Sequence, residues 1–470
     1  MKERLYMTIH RAYLLPHPPL AIPAVGRGKE MEIQATLDAF AKVGKEIADI
    51  APDTIIFITP HNTQYSDYFH ISPGKGSKGT FADFGAPEVQ LQLSYDEPLV
   101  REISRIAKQV GLQAGVNGDK KPILDHGTMV PMWYINQYYT DYQGVRISQS
   151  GLDSEEHYRL GMVIHKACHQ LNRKAVLIAS GDLSHKLTED GPYGYAMEGN
   201  LFDQTITTAM AYGDYRMLML AAEKLREPAA ECGYGSCVIL AGCFDRTNVS
   251  STLYSYEGPF GVGYAVASVT PLDANPERNF MQKLQQITID NARQSQLEED
   301  TYQVLARKSL EHYIKTGETI KRPPHIMGEL ARKQAGVFVS LTINDKLRGC
   351  IGTIHPTTSC IADEIIQNAI SAGTEDTRFD PVTAEELDRL VYSVDVLLPA
   401  EDIESSDQLD PKKYGVIVSN GRRRGLLLPN LDGIDTVEQQ LEIARRKAGI
   451  WDNEEVSLQR FEVIRHGHED

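Results

Sequence analysis

Four short segments place a histidine among turn-forming residues: Leu15-Pro16-His17-Pro18-Pro19, Thr59-Pro60-His61-Asn62, Leu124-Asp125-His126-Gly127-Thr128, and Ser180-Gly181-Asp182-Leu183-Ser184-His185. An imidazole that is neutral near pH 7 can ligate a metal ion or accept a proton, so histidines that converge suit a metal centre or acid–base chemistry. A lone histidine beyond a strand is more often a surface or hydrogen-bonding group. His10, His70, His157, His165 and His169 receive that reading. Four segments of one kind outweigh it. The prolines around His17 fix an extended backbone, which would hold a ligand still with little loss of entropy. Spacing alone names no metal.

The elements that must position these residues alternate in type. Ile33, Leu37, Phe40, Val43, Ile47 and Ile50 recur at helical spacing. TIIFIT (54–59) then reads as a fully buried strand ending at Pro60-His61. Residues 98–112 form a second amphipathic helix, and Asp153 with Glu156 marks the start of a helix through His169. KAVLIAS (174–180) is another buried strand, and 258–270 reads as a closing one. Strands alternating with helices predict an α/β sheet with helices on both faces. In such a sheet, residues just past the carboxyl ends of the strands line the ligand crevice, where His61 and His185 fall.

Length and composition bound the rest. A chain of 470 residues is too long for one ordinary core, and 41% hydrophobic with 24% charged residues is a globular composition. The boundaries read as a first domain over 1–270, a polar linker over 271–298 leading into the next helix, and a second domain over 299–470. A net charge of −16 disfavours broad contact with nucleic acid or an anionic membrane. No apolar run reaches the roughly 18 residues of a membrane span. MKERLYMTIHRAYLLPHPPL lacks the features of an export signal. Six cysteines without a CxxC pair are not a disulfide scaffold, and a reducing cytoplasm fits. A homo-oligomer is compatible with the sequence.

His17-Pro18-Pro19, the strand followed by Pro60-His61, DFGAPEVQLQLSYD (83–96), LDHGTMVPM (124–132) and SGDLSH (180–185) together resemble the class III extradiol ring-cleaving dioxygenases of the LigB type and the related Memo proteins. The five motifs occur in the family's order over about residues 10–268. The resemblance implies an α/β domain with a central sheet flanked by helices. In the dioxygenases two histidines and a glutamate hold non-haem Fe(II), leaving positions open for substrate and dioxygen. Carried over, His17 and His61 become ligands, His185 the acid/base, and His126 a residue that orients substrate or oxygen. The third ligand departs from the pattern, within Ala230-Glu231-Cys232-Gly233-Tyr234-Gly235-Ser236. Glu231 would complete the two-histidine carboxylate set. Cys232 lines up with a cysteine resembling the metal ligand of Memo proteins, and a thiolate favours copper or zinc. The expectation is Glu231, with Cys232 as the alternative.

Residues 299–470 resemble the α+β AMMECR family through Leu347-Arg348-Gly349-Cys350-Ile351-Gly352, Asp376-Thr377-Arg378-Phe379-Asp380-Pro381 and Arg446-Lys447-Ala448-Gly449. Asn420-Gly421 marks a hairpin, and a second hairpin is expected to turn at Asn344-Asp345. Arg348 could hold a carboxylate or phosphate, and Cys350 could be a nucleophile, although a small buried thiol is the better reading. Arg422, Arg423 and Arg424 read as a solvated hairpin end. The combined resemblance implies a metal-dependent oxidoreductase that acts on a small aromatic or phenolic molecule at Fe(II), the second domain serving as a lid or docking a partner. The competing reading is a Memo-like metal-binding or interaction module that serves a radical S-adenosylmethionine enzyme. This chain has no CxxxCxxC cluster motif, so radical chemistry would belong to that partner.

Overall fold

The computed structural model describes residues 8–221, 223–344, 346–431, 433–451 and 454–467. The first seven residues, part of the segment read for export, lie outside it, as does Asp345 of the expected turn. The chain divides into two compact units, Met1–Leu284 and Gln285–Asp470. Among the described residues no helix is long and apolar enough to cross a membrane.

The first unit is built on six strands, β1 (Ile9–Leu15), β2 (Thr54–Thr59), β3 (Gln143–Ser148), β4 (Ala175–Ser180), β5 (Thr247–Glu257) and β6 (Tyr264–Ala274). Their order across the sheet is β3-β2-β4-β1-β6-β5. The first four run parallel, and β6 and β5 close the sheet antiparallel. Six helices matter to the site: α1 (Gln34–Ile50), α2 (Glu97–Gln109), α3 (His126–Ile135), α4 (Ser154–Gln170), α5 (Met197–Tyr212) and α6 (Tyr234–Cys243).

Burial explains the sequence pattern. Leu14, Ile56, Ile58, Val145 and Leu177 face Leu99, Ile103, Ile164 and Val238 of α2, α4 and α6. The alternate residues Tyr13, Ile55, Phe57, Val176 and Ile178 face Phe40, Val43, Ile47 and Val130 of α1 and α3. Strands covered on both faces are apolar at successive positions, which is why β2 and β4 stand out as continuous runs. Each fully buried Ile, Val or Phe contributes about 1.5–3 kcal/mol, so this two-sided burial fixes the sheet that carries the site.

The parallel strands end at one level. Leu15 pairs with Ser180, Ile58 with Ala179, and Thr59 with Ser148. Their next residues therefore emerge together at one edge. There Gly181 crosses Gly233 so closely that a Cβ on Gly181 would lie 2.1 Å from the Gly233 Cα. Asp125 caps α3 by accepting the Thr128 N–H at 3.0 Å, and it also accepts Thr59 Oγ1–H at 2.6 Å. Arg146, fully buried on β3, donates to Asp125 Oδ2 at 3.2 Å and to the carbonyls of Pro122 and Ile123. These bonds set the loop that presents His126.

The stretch read as a linker is structured. β6 runs on to Ala274, and Phe280–Leu297 is helical. Phe280, Leu284, Thr288 and Ala292 form a buried stripe four residues apart, too sparse in large apolar side chains to register as periodicity. In the second unit, strands 337–343, 346–352, 391–397 and 463–466 form one antiparallel sheet, and 401–403, 415–420, 423–427 and 457–461 form another. Helices 301–316 and 361–374 pack on the first, and 437–448 on the second.

Gly181→Ala tests the crossing. The new methyl must displace backbone, so unfolding in urea should show a loss of about 1–3 kcal/mol or more. An unchanged midpoint would mean that the two segments part freely.

Candidate metal centre

His17 follows β1 by two residues, His61 follows β2 by two, and Cys232 stands at the turn before α6. One ligand atom from each lies within 4.8 Å of the others. His61 Nε2 is 2.9 Å from His17 Nε2, and Cys232 Sγ is 3.6 Å from His17 Nε2. A four-coordinate ion held by imidazole and thiolate sets its donors apart by about 3.3 Å (N to N) and about 3.6 Å (N to S). The N-to-S separation matches that spacing, whereas the two imidazole nitrogens stand closer, at hydrogen-bond distance; in chemistry, two imidazoles and a thiol are a donor set that fits such an ion. His17 is buried, Cys232 half-buried and His61 exposed, so the cluster opens to solvent on the His61 side.

The orientation of His17 is fixed from behind. Ser180 Oγ–H donates to the Gly127 carbonyl at 2.5 Å. A serine has one hydroxyl hydrogen, so towards the ring it can only accept. His17 Nδ1–H therefore donates to Ser180 Oγ at 2.9 Å, which leaves Nε2 as the acceptor nitrogen, its lone pair directed at His61 and Cys232. The His17 main-chain N–H donates to Asp182 Oδ1 at 2.8 Å. Asp182 N–H in turn lies 3.3 Å from Cys232 Sγ, and Gln149, immediately after β3, donates to the Cys232 carbonyl at 2.8 Å.

Burial sets the protonation states. It holds His17 well below the ordinary imidazole range, with His61, His126 and His185 adding to the effect. His61 meets solvent on one side, yet the protein packed around the rest of its ring, and His126, lower it to about 4. Burial pushes the Cys232 thiol well above its usual value, with Asp182 adding, and raises Asp182 to about 7. At neutral pH the two imidazoles are ready to ligate without losing a proton, whereas the thiol must lose one.

All four sequence-predicted histidines converge. His126 stacks on His61 with ring centroids 4.1 Å apart and lies 5.3 Å from the His17 ring. His185 faces the same cluster, lowering His17, and its ring stacks on Tyr193 at 5.2 Å. The structure places Glu231 apart from the histidines. Its carboxylate accepts Tyr234 N–H at 2.7 Å and Arg226 Nη2–H at 3.2 Å, with Arg226 lying over the Tyr234 ring. It serves the N-terminus of α6, where a negative charge is favoured, and it is outside the ligand cluster. Adjacent residues on a turn point apart, so the thiol reaches the histidines and the carboxylate does not. Ser180, Asp182 and Gln149 carry structural roles that sequence reasoning did not assign. Their signal was their position just beyond buried strands.

The second-domain candidates are engaged internally. Arg348 donates to both carboxylate oxygens of Glu386 at 2.6 and 3.1 Å. Ser340 Oγ–H donates to Cys350 Sγ at 3.2 Å, and burial raises that thiol. Arg423 pairs with Glu454, and Arg424 with His355 and Ser419.

Two measurements check this geometry. Ser180→Ala should leave the fold intact and weaken ion binding about 10–100-fold in chelator competition, because the ring loses its fixed tautomer. Equal affinity would contradict the role given to Ser180. At pH 7, calorimetry in buffers of different ionisation enthalpy should show about one proton released per ion, from Cys232. Affinity should then rise roughly tenfold per pH unit, and more steeply below about pH 4, where His61 takes up a proton.

The profile of the catalytic LigB subunit of aromatic ring-opening dioxygenase matches residues 11–267, and that of AMMECR1 matches 303–466. Protein CA_C1420 of Clostridium acetobutylicum is 42% identical over 468 residues, covering 98% of this chain and 99% of its own. A Thermotoga maritima protein is 49% identical over 171 residues, 36% of this chain and 98% of its own. The crystal structure of protein PH0010 from Pyrococcus horikoshii shares 35% identity, covers 35% of this chain and 88% of its own, and has a TM-score of 0.33. With more than half of its length matched by the first profile, the chain belongs to the LigB family and carries an AMMECR1 domain behind that part.

Proposed function

We propose that the first domain is a metal-binding module of the Memo type, holding one soft or borderline ion, copper or zinc, between His17, His61 and Cys232. The observation that carries this reading is the direction of two neighbouring side chains. The Cys232 sulfur stands 3.6 Å from His17 Nε2, while Glu231 is tied to Arg226 and the Tyr234 N–H. A thiolate beside two imidazoles suits copper or zinc better than a carboxylate set does. When bound, such an ion supplies Lewis acidity toward an oxygen or nitrogen donor.

The chain's own residues complete the site. His126 and His185 are both held below the ordinary imidazole range by burial, so each is neutral at pH 7. A ring nitrogen of either can accept the proton of a phenol or other weak acid arriving beside exposed His61. The edge-on contact of Phe84 with His126, centroids 5.3 Å apart, lends an apolar wall to that side. In this reading the module works alongside a separate enzyme, for which a radical S-adenosylmethionine protein is the candidate.

Ring cleavage at Fe(II) is the second reading, and the match of residues 11–267 to ring-opening dioxygenases favours it. Metal analysis of protein purified without added metal separates the two. Copper or zinc near one per chain, lost in Cys232→Ala and kept in Glu231→Ala, supports the thiolate centre. Iron lost in Glu231→Ala but kept in Cys232→Ala, with a coloured product from a catechol after anaerobic iron loading, would replace it with the dioxygenase.

A further inference from the structure

The loop that carries His185 has no helix or strand of its own, yet the main-chain N–H groups of Leu183, Ser184 and His185 are all tied down. Leu183 N–H donates to the Gly263 carbonyl and Gly263 N–H to the Ser184 carbonyl, both at 2.8 Å. His185 N–H donates to the Ala229 carbonyl at 3.0 Å, and Ser184 Oγ–H reaches the same oxygen at 3.1 Å. The Ser184 N–H goes to Asp203 Oδ1 on α5, at 2.7 Å. The other oxygen, Asp203 Oδ2, accepts the Tyr256 hydroxyl of β5 at 2.7 Å.

Asp203 is 1% exposed, and the partners just named are a main-chain amide and a phenol, not a cation. A buried carboxyl without a cation is costly, and burial pushes this one up to about 7. The space around it is closed. A Cβ on Gly263 would lie 2.0 Å from Asp203 Oδ2, and one on Gly199 would lie 2.4 Å from Ser184 Oγ. The carboxyl thus has one position, and that position dictates where the Ser184 amide must be.

We infer that Asp203, steadied by Tyr256, is the positioning residue for His185 and for the turn that bears Cys232. The link to the turn is the Ala229 carbonyl, which accepts from both Ser184 and His185 three residues before the thiol ligand. Asp203 itself touches neither the donor cluster nor His185. The inference takes its functional weight from the reading of His185 as the proton acceptor, whereas its geometry stands apart from that reading.

Amide hydrogen exchange on the full-length chain tests it, with Asp203→Ala, Asp203→Asn and Tyr256→Phe compared. Asp203→Ala should speed exchange of Ser184 and His185 at least tenfold while β4 stays as protected as in the parent, and should shift the His185 ring resonances away from those of a ring stacked on Tyr193. Asparagine keeps an oxygen for the Ser184 N–H, so Asp203→Asn should restore most of the protection. Tyr256→Phe should give a smaller rise at the same two amides, and it serves where Asp203→Ala does not fold. Unchanged exchange at Ser184 and His185, an equal rise across β4, or no restoration by asparagine would overturn the assignment. Zinc stoichiometry of the same samples reports on the donor cluster separately: a parent that binds no zinc or copper counts against the metal reading and leaves the exchange result to stand alone.

Discussion

Gly181 and Gly233 approach until no side chain fits between them, and the grouping of His17, His61 and Cys232 depends on that approach. One lies just past β4 and the other opens α6, so the contact joins two segments about fifty residues apart at the sheet edge where β1 and β2 also end. From it follow the Asp182 N–H to Cys232 Sγ contact, the Asp182 hold on His17 N–H, and the direction of the thiol toward His17. Widening the crossing by the width of a methyl would separate thiol from imidazole even with every ligand residue still present.

The second constraint is electrostatic. The cluster gathers four imidazoles, a thiol and a carboxyl where water is partly excluded, and no charge on them comes without a desolvation cost. The outcome at neutral pH is two neutral imidazoles, His17 and His61, and a neutral Cys232 thiol, beside an Asp182 carboxyl raised to about 7 and so shared between its two forms. Neutral imidazoles have their lone pairs available, and the tautomer of His17 is settled by Ser180, whose single hydrogen is directed at Gly127. A site so arranged suits a cation better than a proton, since several donors share the ion whereas a proton charges one ring alone.

How far the sequence could be read follows from the same physics. β2 and β4 were legible because strands buried on both faces leave an unbroken apolar run, and the four histidine segments were legible because each joins a turn-former to a strand or helix end. β3 was missed because QGVRIS carries Arg146, whose burial depends on Asp125 and two carbonyls far away in sequence. β5 was missed because it is an edge strand with polar residues at many positions, and α6 because it is apolar all round and shows no face. The helix Phe280–Leu297 reads as linker in the sequence because its buried stripe holds a threonine and an alanine. The choice between Glu231 and Cys232 could not come from spacing, since neighbours in a turn differ only in direction. That direction is set by the Gly181–Gly233 crossing and by the pull of Arg226 and α6 on the carboxylate.

X-ray absorption at the metal edge of the loaded protein addresses the central claim most directly. A thiolate-containing centre predicts one sulfur scatterer at about 2.3 Å together with imidazole nitrogens at about 2.0–2.1 Å. A first shell made only of nitrogen and oxygen, with the sulfur signal absent, would contradict it and return the carboxylate to the site.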